Sequence, residues 1–329
     1  MASVRDGELF CPFPLEINPH AARANQHMLE WAARFGLIAS PHAVNSGVLR
    51  MNYGWLGARV HPNASLEALQ IATEWQCWLF CGDDKNDESP DGRDPVEMKR
   101  VHERFLSVLA GASPTAHDSA AAHALADLRD RIRLRASPAG FARFTRRIRD
   151  YFAAIRWEAG NRAGGVVPDL DTYCRMRLDT SAVYTCFELI EVTEEIVLPA
   201  TVHDHPHTRQ MGRLANNVTS WCNDIVSANK EREQGDVHNL VIVLQHHHRM
   251  SLADTVAAAI RMHNAAVAAY LELEARLPSF GGPVDAALQR YVRGLRSWMR
   301  GNMDWGLTAR RYVSRTSPER QRPAKKIRP

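Results

Sequence analysis

Asn223-Asp224-Ile225-Val226-Ser227-Ala228-Asn229-Lys230-Glu231 is the stretch on which the reading of this chain turns. Asn223, Ser227 and Glu231 stand at i, i+4 and i+8, so on a helix their side chains form one stripe of oxygen ligands. An amide oxygen, a hydroxyl and one carboxylate make a chelate of low charge. Such a set suits a hard divalent ion whose remaining ligands are phosphate oxygens. Lys230, beside them, can meet phosphate as a point charge. The stripe requires a helix, and apolar periodicity over 208–233 supplies one. A pattern fixing five positions, N-D-x-x-S-x-x-K-E, has a chance frequency on the order of one in ten thousand per chain at average usage. A merely polar helix face is therefore the weaker explanation.

Outward from this stretch the same three-and-four spacing recurs over 21–35, 65–80, 95–109, 119–134, 140–159, 170–192, 251–277 and 283–303. The breaks are short and chemically typical: Gly36, Ser-Pro at 113 and 137, Gly-Gly at 164 and 281, and Gly235-Asp236. The β-branched run 240–244 is the one strand candidate, and since a lone strand has nothing to pair with, it is read as buried helix. The expectation is one all-α domain of roughly ten helices, far above the usual helix share. It spans 1–312, and 313–329 form a basic tail.

Of 329 residues, 45% are hydrophobic and 24% charged, an ordinary globular balance that excludes disordered, collagenous and disulfide-scaffold chains. The net charge of +4 is local. Residues 313–329 carry +5, which leaves −1 for the rest, so no nucleic-acid-binding surface is expected. The six cysteines, Cys11, Cys77, Cys81, Cys174, Cys186 and Cys222, show neither C-x-x-C nor zinc spacing, so disulfides are not expected and a reducing cytosol fits. No apolar h-region and no run of about 18 apolar residues occurs, so neither a signal peptide nor a membrane span is expected. A cytoplasmic location follows as an expectation. His203-Asp204-His205-Pro206-His207 has zinc-binding residue types but sits in a Pro-containing loop, and His246-His247-His248 reads as a solvated helix end.

A second acidic stretch lies 140 positions before Asn223: Trp78-Leu79-Phe80-Cys81-Gly82-Asp83-Asp84-Lys85-Asn86-Asp87-Glu88. An apolar helix here ends in carboxylates. Asp83 and Asp87 project from one face, where like charges repel unless a cation sits between them. Oxygen ligands without His or Cys favour Mg²⁺, which leaves room for water and phosphate. Alone, D-D-x-x-D is weaker evidence, since it occurs by chance in roughly a few per cent of chains this long.

Together the two motifs resemble those of the class I terpene cyclases of the microbial type, in which they face each other across an all-α barrel. The resemblance covers nearly the whole chain, through Cys11-Pro12-Phe13-Pro14, Asn18-Pro19-His20, Trp31, Phe35-Gly36-Leu37, Trp157-Glu158, Asn161-Arg162, Gly235-Asp236, His238-Asn239-Leu240, Trp305 and Arg311-Tyr312. It implies that Asp83 is the principal carboxylate ligand, with Asp87 a weaker one, and that Asn223, Ser227 and Glu231 hold another Mg²⁺ of a three-ion cluster. Arg177, 46 positions before Asn223, is similar to the diphosphate-sensing arginine. Thr180 and Ser181 then fall at the linker and effector positions, and Arg175 competes with Arg177 for the sensor role. Arg311 and Tyr312 are similar to the pair that grips diphosphate on closure, and Asp84 to the acid that latches onto that arginine. The effector is often Gly in this family. Ser181 departs from that, which puts the form of the local helix break in doubt.

The implied activity is that of a carbon–oxygen lyase: Mg²⁺-dependent ionisation of a linear prenyl diphosphate, farnesyl diphosphate favoured, to a cyclic terpene plus diphosphate. Metal ions, Arg177 and Lys230 would neutralise the leaving group. A dry aromatic cavity would shelter the cation. Phe80, three positions before Asp83, is expected on the cavity face below the metal site. Trp305 is the second aromatic expected there, on the resemblance. The alternatives are the same chemistry on a C20 substrate, a head-to-tail prenyl transferase, which usually carries a second aspartate-rich motif, and a non-catalytic helical binding protein. No D-x-D-D for protonation-initiated cyclisation is present. The expected partner is the prenyl diphosphate, and a homodimer is admitted as an assembly.

Overall fold

The computed structural model describes residues 8–40, 52–88 and 94–308, with the backbone alone for 83–88. Among the described residues every regular element is a helix. In chain order they are α1 (Ala21–Arg34), α2 (Tyr53–Val60), α3 (Leu66–Glu88), α4 (Pro95–Leu109), α5 (Ala120–Arg135), α6 (Pro138–Gly164), α7 (Leu170–Thr180), α8 (Val183–Phe187), α9 (Ile190–Thr193), α10 (Ala200–His203), α11 (Pro206–Gln234), α12 (Leu240–His248), α13 (Leu252–Glu274) and α14 (Gly282–Thr308).

Local chemistry sets the ends. Asp94, Ser119, Ser137, Asp169, Asn239 and Ser251 each accept a backbone N–H at the start of α4, α5, α6, α7, α12 and α13. Each such cap contributes about 1 kcal/mol. Gly165 and Gly235 close α6 and α11 at φ 63° and 74°, a conformation in which a Cβ would clash.

The 240–244 run is helical, within α12, and buries Leu240, Val241, Val243 and Leu244. Two features differ from the sequence expectation. Residues 170–192 are not one helix. The chain leaves α7 at Ser181 and turns through Ala182 at φ 58°, so α8 sets off in a new direction. Carbonyls freed by the turn find side chains, and Leu178 O accepts from Asn216 Nδ2 at 2.8 Å. Apolar spacing continues across the break because both flanking pieces bury one side, so periodicity alone does not register it. The second feature is α2, which the sequence reading passed over. It is short and carries Gly54 and Gly57, poor helix formers that here permit close packing. A Cβ on Gly57 would lie 2.3 Å from Thr73 Cγ2, and one on Gly301 would lie 2.8 Å from the Arg59 backbone. Thus α2 wedges between α3 and α14.

Around one large core, with a small second cluster of Ala21, Ala24, Ala58, Ala64, Ala68 and Leu69, α11 packs on α13 and α14, α14 on α2, α1 on α2 and α3, and α6 on α7. Segment 8–18 straps this bundle: Asn264 Oδ1 accepts from Phe10 N at 2.9 Å, and Arg300 Nη1 donates to the carbonyls of Cys11 and Phe13 at 3.1 and 3.2 Å. None of the six cysteines is in a disulfide. No described helix is long and apolar enough to cross a membrane.

Candidate active site

The helices enclose a cavity whose wall is apolar within and charged at one end. Leu56 of α2, Leu79 and Phe80 of α3, Met98 of α4, Tyr151 and Ile155 of α6, and Val183 and Cys186 line the apolar part. Glu158, Arg162, Arg177, Asn223, Lys230, Glu231, Asp236 and His238 supply the charged end. A row of apolar side chains beside a dense charge cluster is an arrangement for a molecule with a hydrocarbon body and an anionic head.

Arg177 reaches from the last turn of α7 across to α11. Its Nη2 donates to Asp224 Oδ1 at 2.7 Å and to Asn223 Oδ1 at 3.2 Å, and its Nε donates to Asp224 Oδ1 at 3.0 Å. Arg175, two residues earlier, is exposed and donates to Thr172 Oγ1, so it points away from the cavity. Asp224 is wholly buried and fully engaged, also accepting from Tyr173 Oη at 2.5 Å and Leu240 N at 3.1 Å. It fixes the arginine and leaves no oxygen for a metal.

Asn223, Ser227 and Glu231 lie along α11 as their spacing requires. Asn239, which caps α12, donates its Nδ2 to Asp224 O at 2.8 Å and to Glu231 Oε2 at 2.8 Å, and reaches Ser227 Oγ at 3.4 Å. Burial, reinforced by the nearby carboxylates of Asp224 and Asp236, pushes the Glu231 pKa up to about 7. A carboxylate held so against its preference for water gains by taking a cation. The donor set therefore fits a hard divalent ion.

The aspartate-rich motif lies within α3, whose backbone remains helical through Glu88, so Asp83, Asp84 and Asp87 keep the one-turn relation. Their side chains lie outside the described residues. So do Arg311, Tyr312 and the tail 313–329. Thr180 is buried at the end of α7 with its Oγ1 unbonded. Ser181 follows at the helix break; its Oγ accepts from Val183 N at 3.2 Å and donates to Asn216 Oδ1 at 3.1 Å. Lys230 is half-buried on the cavity wall.

Of the two aromatics expected on the wall, Phe80 is there, stacked on Tyr53 with ring centres 4.2 Å apart. Trp305 lies beside it, its ring centre 5.8 Å from Phe80 and 6.1 Å from Tyr53, on the face of α14 that carries Asn302 and Trp298 into the cavity one and two turns earlier. The sequence reading also gave no role to Arg162 and Asp236. They pair at 3.3 Å on the rim, and His238 and Arg162 hold the Asp236 carboxyl below its ordinary range despite burial. Nearby Glu158 is raised by burial. Asn239 likewise has no role in the sequence reading, and its position four residues after the helix-closing Gly235, just before the apolar run 240–244, is the available signal.

The family model described as terpene synthase family 2, C-terminal metal binding, matches residues 74–269. Over 305 residues the chain is 45% identical to a (+)-T-muurolol synthase ((2E,6E)-farnesyl diphosphate cyclizing) of Roseiflexus castenholzii, covering 93% of each chain. It is 35% identical over 304 residues to germacrene A synthase of Nostoc punctiforme, covering 92% of this chain and 94% of that one. Among solved structures, a variant of cucumene synthase superposes with a TM-score of 0.83 at 29% identity, over 92% of this chain and 99% of the other.

Proposed function

The chain belongs to the terpene synthase family, and on that premise we propose that it converts farnesyl diphosphate into a cyclic sesquiterpene and inorganic diphosphate. The observation that carries the reading is the meeting of Arg177 and the Asn223, Ser227, Glu231 stripe at the charged end of a cavity whose wall also carries Leu56, Leu79, Phe80, Tyr151 and Ile155. The relatives named for farnesyl diphosphate or for sesquiterpene products support the C15 chain length. We further propose that the metal is Mg²⁺ in a three-ion cluster held by Asp83, Asp87, Asn223, Ser227 and Glu231. Mg²⁺, when bound, supplies positive charge to the departing diphosphate.

The chain's own residues do the rest. Arg177, oriented by Asp224, and Lys230 donate to diphosphate oxygens, placing the head at the rim and the hydrocarbon inside. Arg311 and Tyr312 join them in this proposal on the sequence resemblance, with Asp84 as the latch for Arg311. Thr180 and Ser181 link the sensor to the break after α7, where the Ser181 carbonyl can face the allylic carbon as positive charge develops. Phe80 turns a ring toward the cation and, with Leu79, Tyr151 and Ile155, keeps water from the wall. Residues 1–312 form the catalytic domain in this account, 313–329 a tail outside it, and the enzyme works in the cytoplasm.

The test is diphosphate release from farnesyl diphosphate. EDTA should abolish it and Mg²⁺ restore it, and Asp83→Ala should lower kcat by orders of magnitude while leaving the Tm unchanged. Undiminished turnover of the folded variant, or of the EDTA-treated enzyme, would refute the metal assignment.

A further inference from the structure

Deep in the cavity, away from the charged rim, lies a group of polar atoms that the reaction described above does not use. Gln76 is 2% exposed, lines the cavity, and neither its Nε2 nor its Oε1 has a hydrogen-bond partner. Trp298 also lines the cavity and its Nε1 is buried and unbonded. Asn302 lines it too, anchored by one donor to Thr219 O at 3.1 Å.

The packing of α2 orders these groups along the inner part of the cavity. Tyr53, at its start, meets Phe80 and Trp305. One turn on, a Cβ on Gly57 would lie 3.4 Å from Gln76 Oε1, then one on Gly301 would meet Arg59, and His61 finally meets the Trp298 ring with centres 5.6 Å apart. Thus α3 and α14 run parallel to each other and antiparallel to α2. Gln76, one turn below Phe80, stands near the level of Asn302, and Trp298, which shares a face with Asn302 at i, i+4, lies about one turn deeper.

An amide with both atoms unmatched and an indole N–H, on the wall of an apolar cavity, are costly unless something there takes their hydrogen bonds. Hydrocarbon cannot. A water molecule can, since it accepts from Trp298 Nε1 or Gln76 Nε2 and donates to Gln76 Oε1. Resting on the terpene cyclase reading above, we propose that Gln76, Trp298 and Asn302 hold one water at the inner end of the cavity and direct it onto the final carbocation, so that the enzyme makes a terpene alcohol. A lone pair of that water forms the new C–O bond and the carbon's positive charge passes to oxygen. The resulting oxonium loses one proton, with Gln76 Oε1 as its first hydrogen-bond acceptor, and the released inorganic diphosphate takes it up. Substrate and one water thus yield alcohol and monoprotonated diphosphate, with no redox change. Gln76 is a positioning residue, acting through the water.

The experiment is turnover of farnesyl diphosphate by the full chain with Mg²⁺ in H₂¹⁸O, reading diphosphate release together with products by gas chromatography and mass spectrometry. The expected major product is an alcohol carrying one ¹⁸O. In Gln76→Leu and, independently, Trp298→Phe, the ratio of alcohol to hydrocarbon should fall at least tenfold. That ratio is internal to each reaction, so a general loss of rate or stability does not move it. Diphosphate release with only unlabelled products, or an unchanged ratio in both variants, would overturn the water site and leave the cyclase reading standing. No diphosphate release by the folded wild-type chain would overturn the cyclase reading, and the water site with it.

Discussion

Adjacent residues of one motif do different work here. Asn223 presents its amide at the cavity, whereas Asp224, one residue on, turns inward and holds Arg177, Tyr173 and the start of α12. Asp224→Ala should therefore cost stability, about 3–5 kcal/mol, because it leaves the Arg177 charge without its buried partner. Asn223→Ala should leave denaturant stability nearly intact and lower kcat by orders of magnitude. Chemical unfolding and steady-state kinetics on the two variants separate these outcomes, and similar stability losses in both would mean that the division of labour is wrong. At Phe80 the expected effect is on product choice. Phe80→Leu keeps an apolar wall but removes a cation–π contribution of roughly 0.5–2 kcal/mol. The mixture should shift toward acyclic or early-quenched products by factors of a few to about thirty. An unchanged profile at unchanged rate would make Phe80 simple core.

At the scale of the element, the break between α7 and α8 shows how a non-glycine sequence makes a turn that glycine usually eases. Ala182 takes the left-handed conformation, and the Ser181 hydroxyl steadies it by accepting from Val183 N and donating to Asn216. Ser181→Ala, which removes the hydroxyl's hydrogen bonds to Val183 N and Asn216, should cost about 1 kcal/mol, and Ser181→Thr, which keeps the hydroxyl, should cost less. Thermal unfolding of the pair measures this. Equal losses would remove the hydroxyl from the account of the break. The same reasoning joins α11 to α12, since the Asn239 side chain caps one helix and braces Glu231 on the other.

For the molecule as a whole, burial of neutral histidines makes stability depend on pH. His102 stacks on Phe152 with ring centres 4.2 Å apart, and its Nδ1 accepts from Arg156 Nη1 at 3.2 Å. Burial, with Arg156 beside it, lowers its pKa to about 4, and burial lowers that of His61 to about 3. An unfolded imidazole takes its proton near about pH 6.5. Between these values the unfolded chain binds more protons, so stability is complete above about pH 6.5 and is lost as pH falls toward 4. His102→Phe should flatten that slope by up to about 1.4 kcal/mol per pH unit. Urea titrations at pH 7, 6, 5 and 4.5 would show it, and a slope equal to that of the wild type would contradict a neutral buried His102.

Fold class and most of the helices were legible because helical burial repeats every three or four residues, and the Asn223, Ser227, Glu231 stripe because its residues lie on one helix and need only that helix to align. Arg177 could be placed by resemblance but not by its contacts, which cross from α7 to α11. That 53–60 is a helix, that the break after α7 takes the form of a left-handed turn at Ala182, and that Gln76 faces the Trp298–Asn302 stretch of α14 were decided in the tertiary structure alone. Each depends on how closely two helices approach and how they are rotated about their axes. Those quantities are set by packing between distant segments, at glycines such as Gly57 and Gly301, and leave no period in the chain itself.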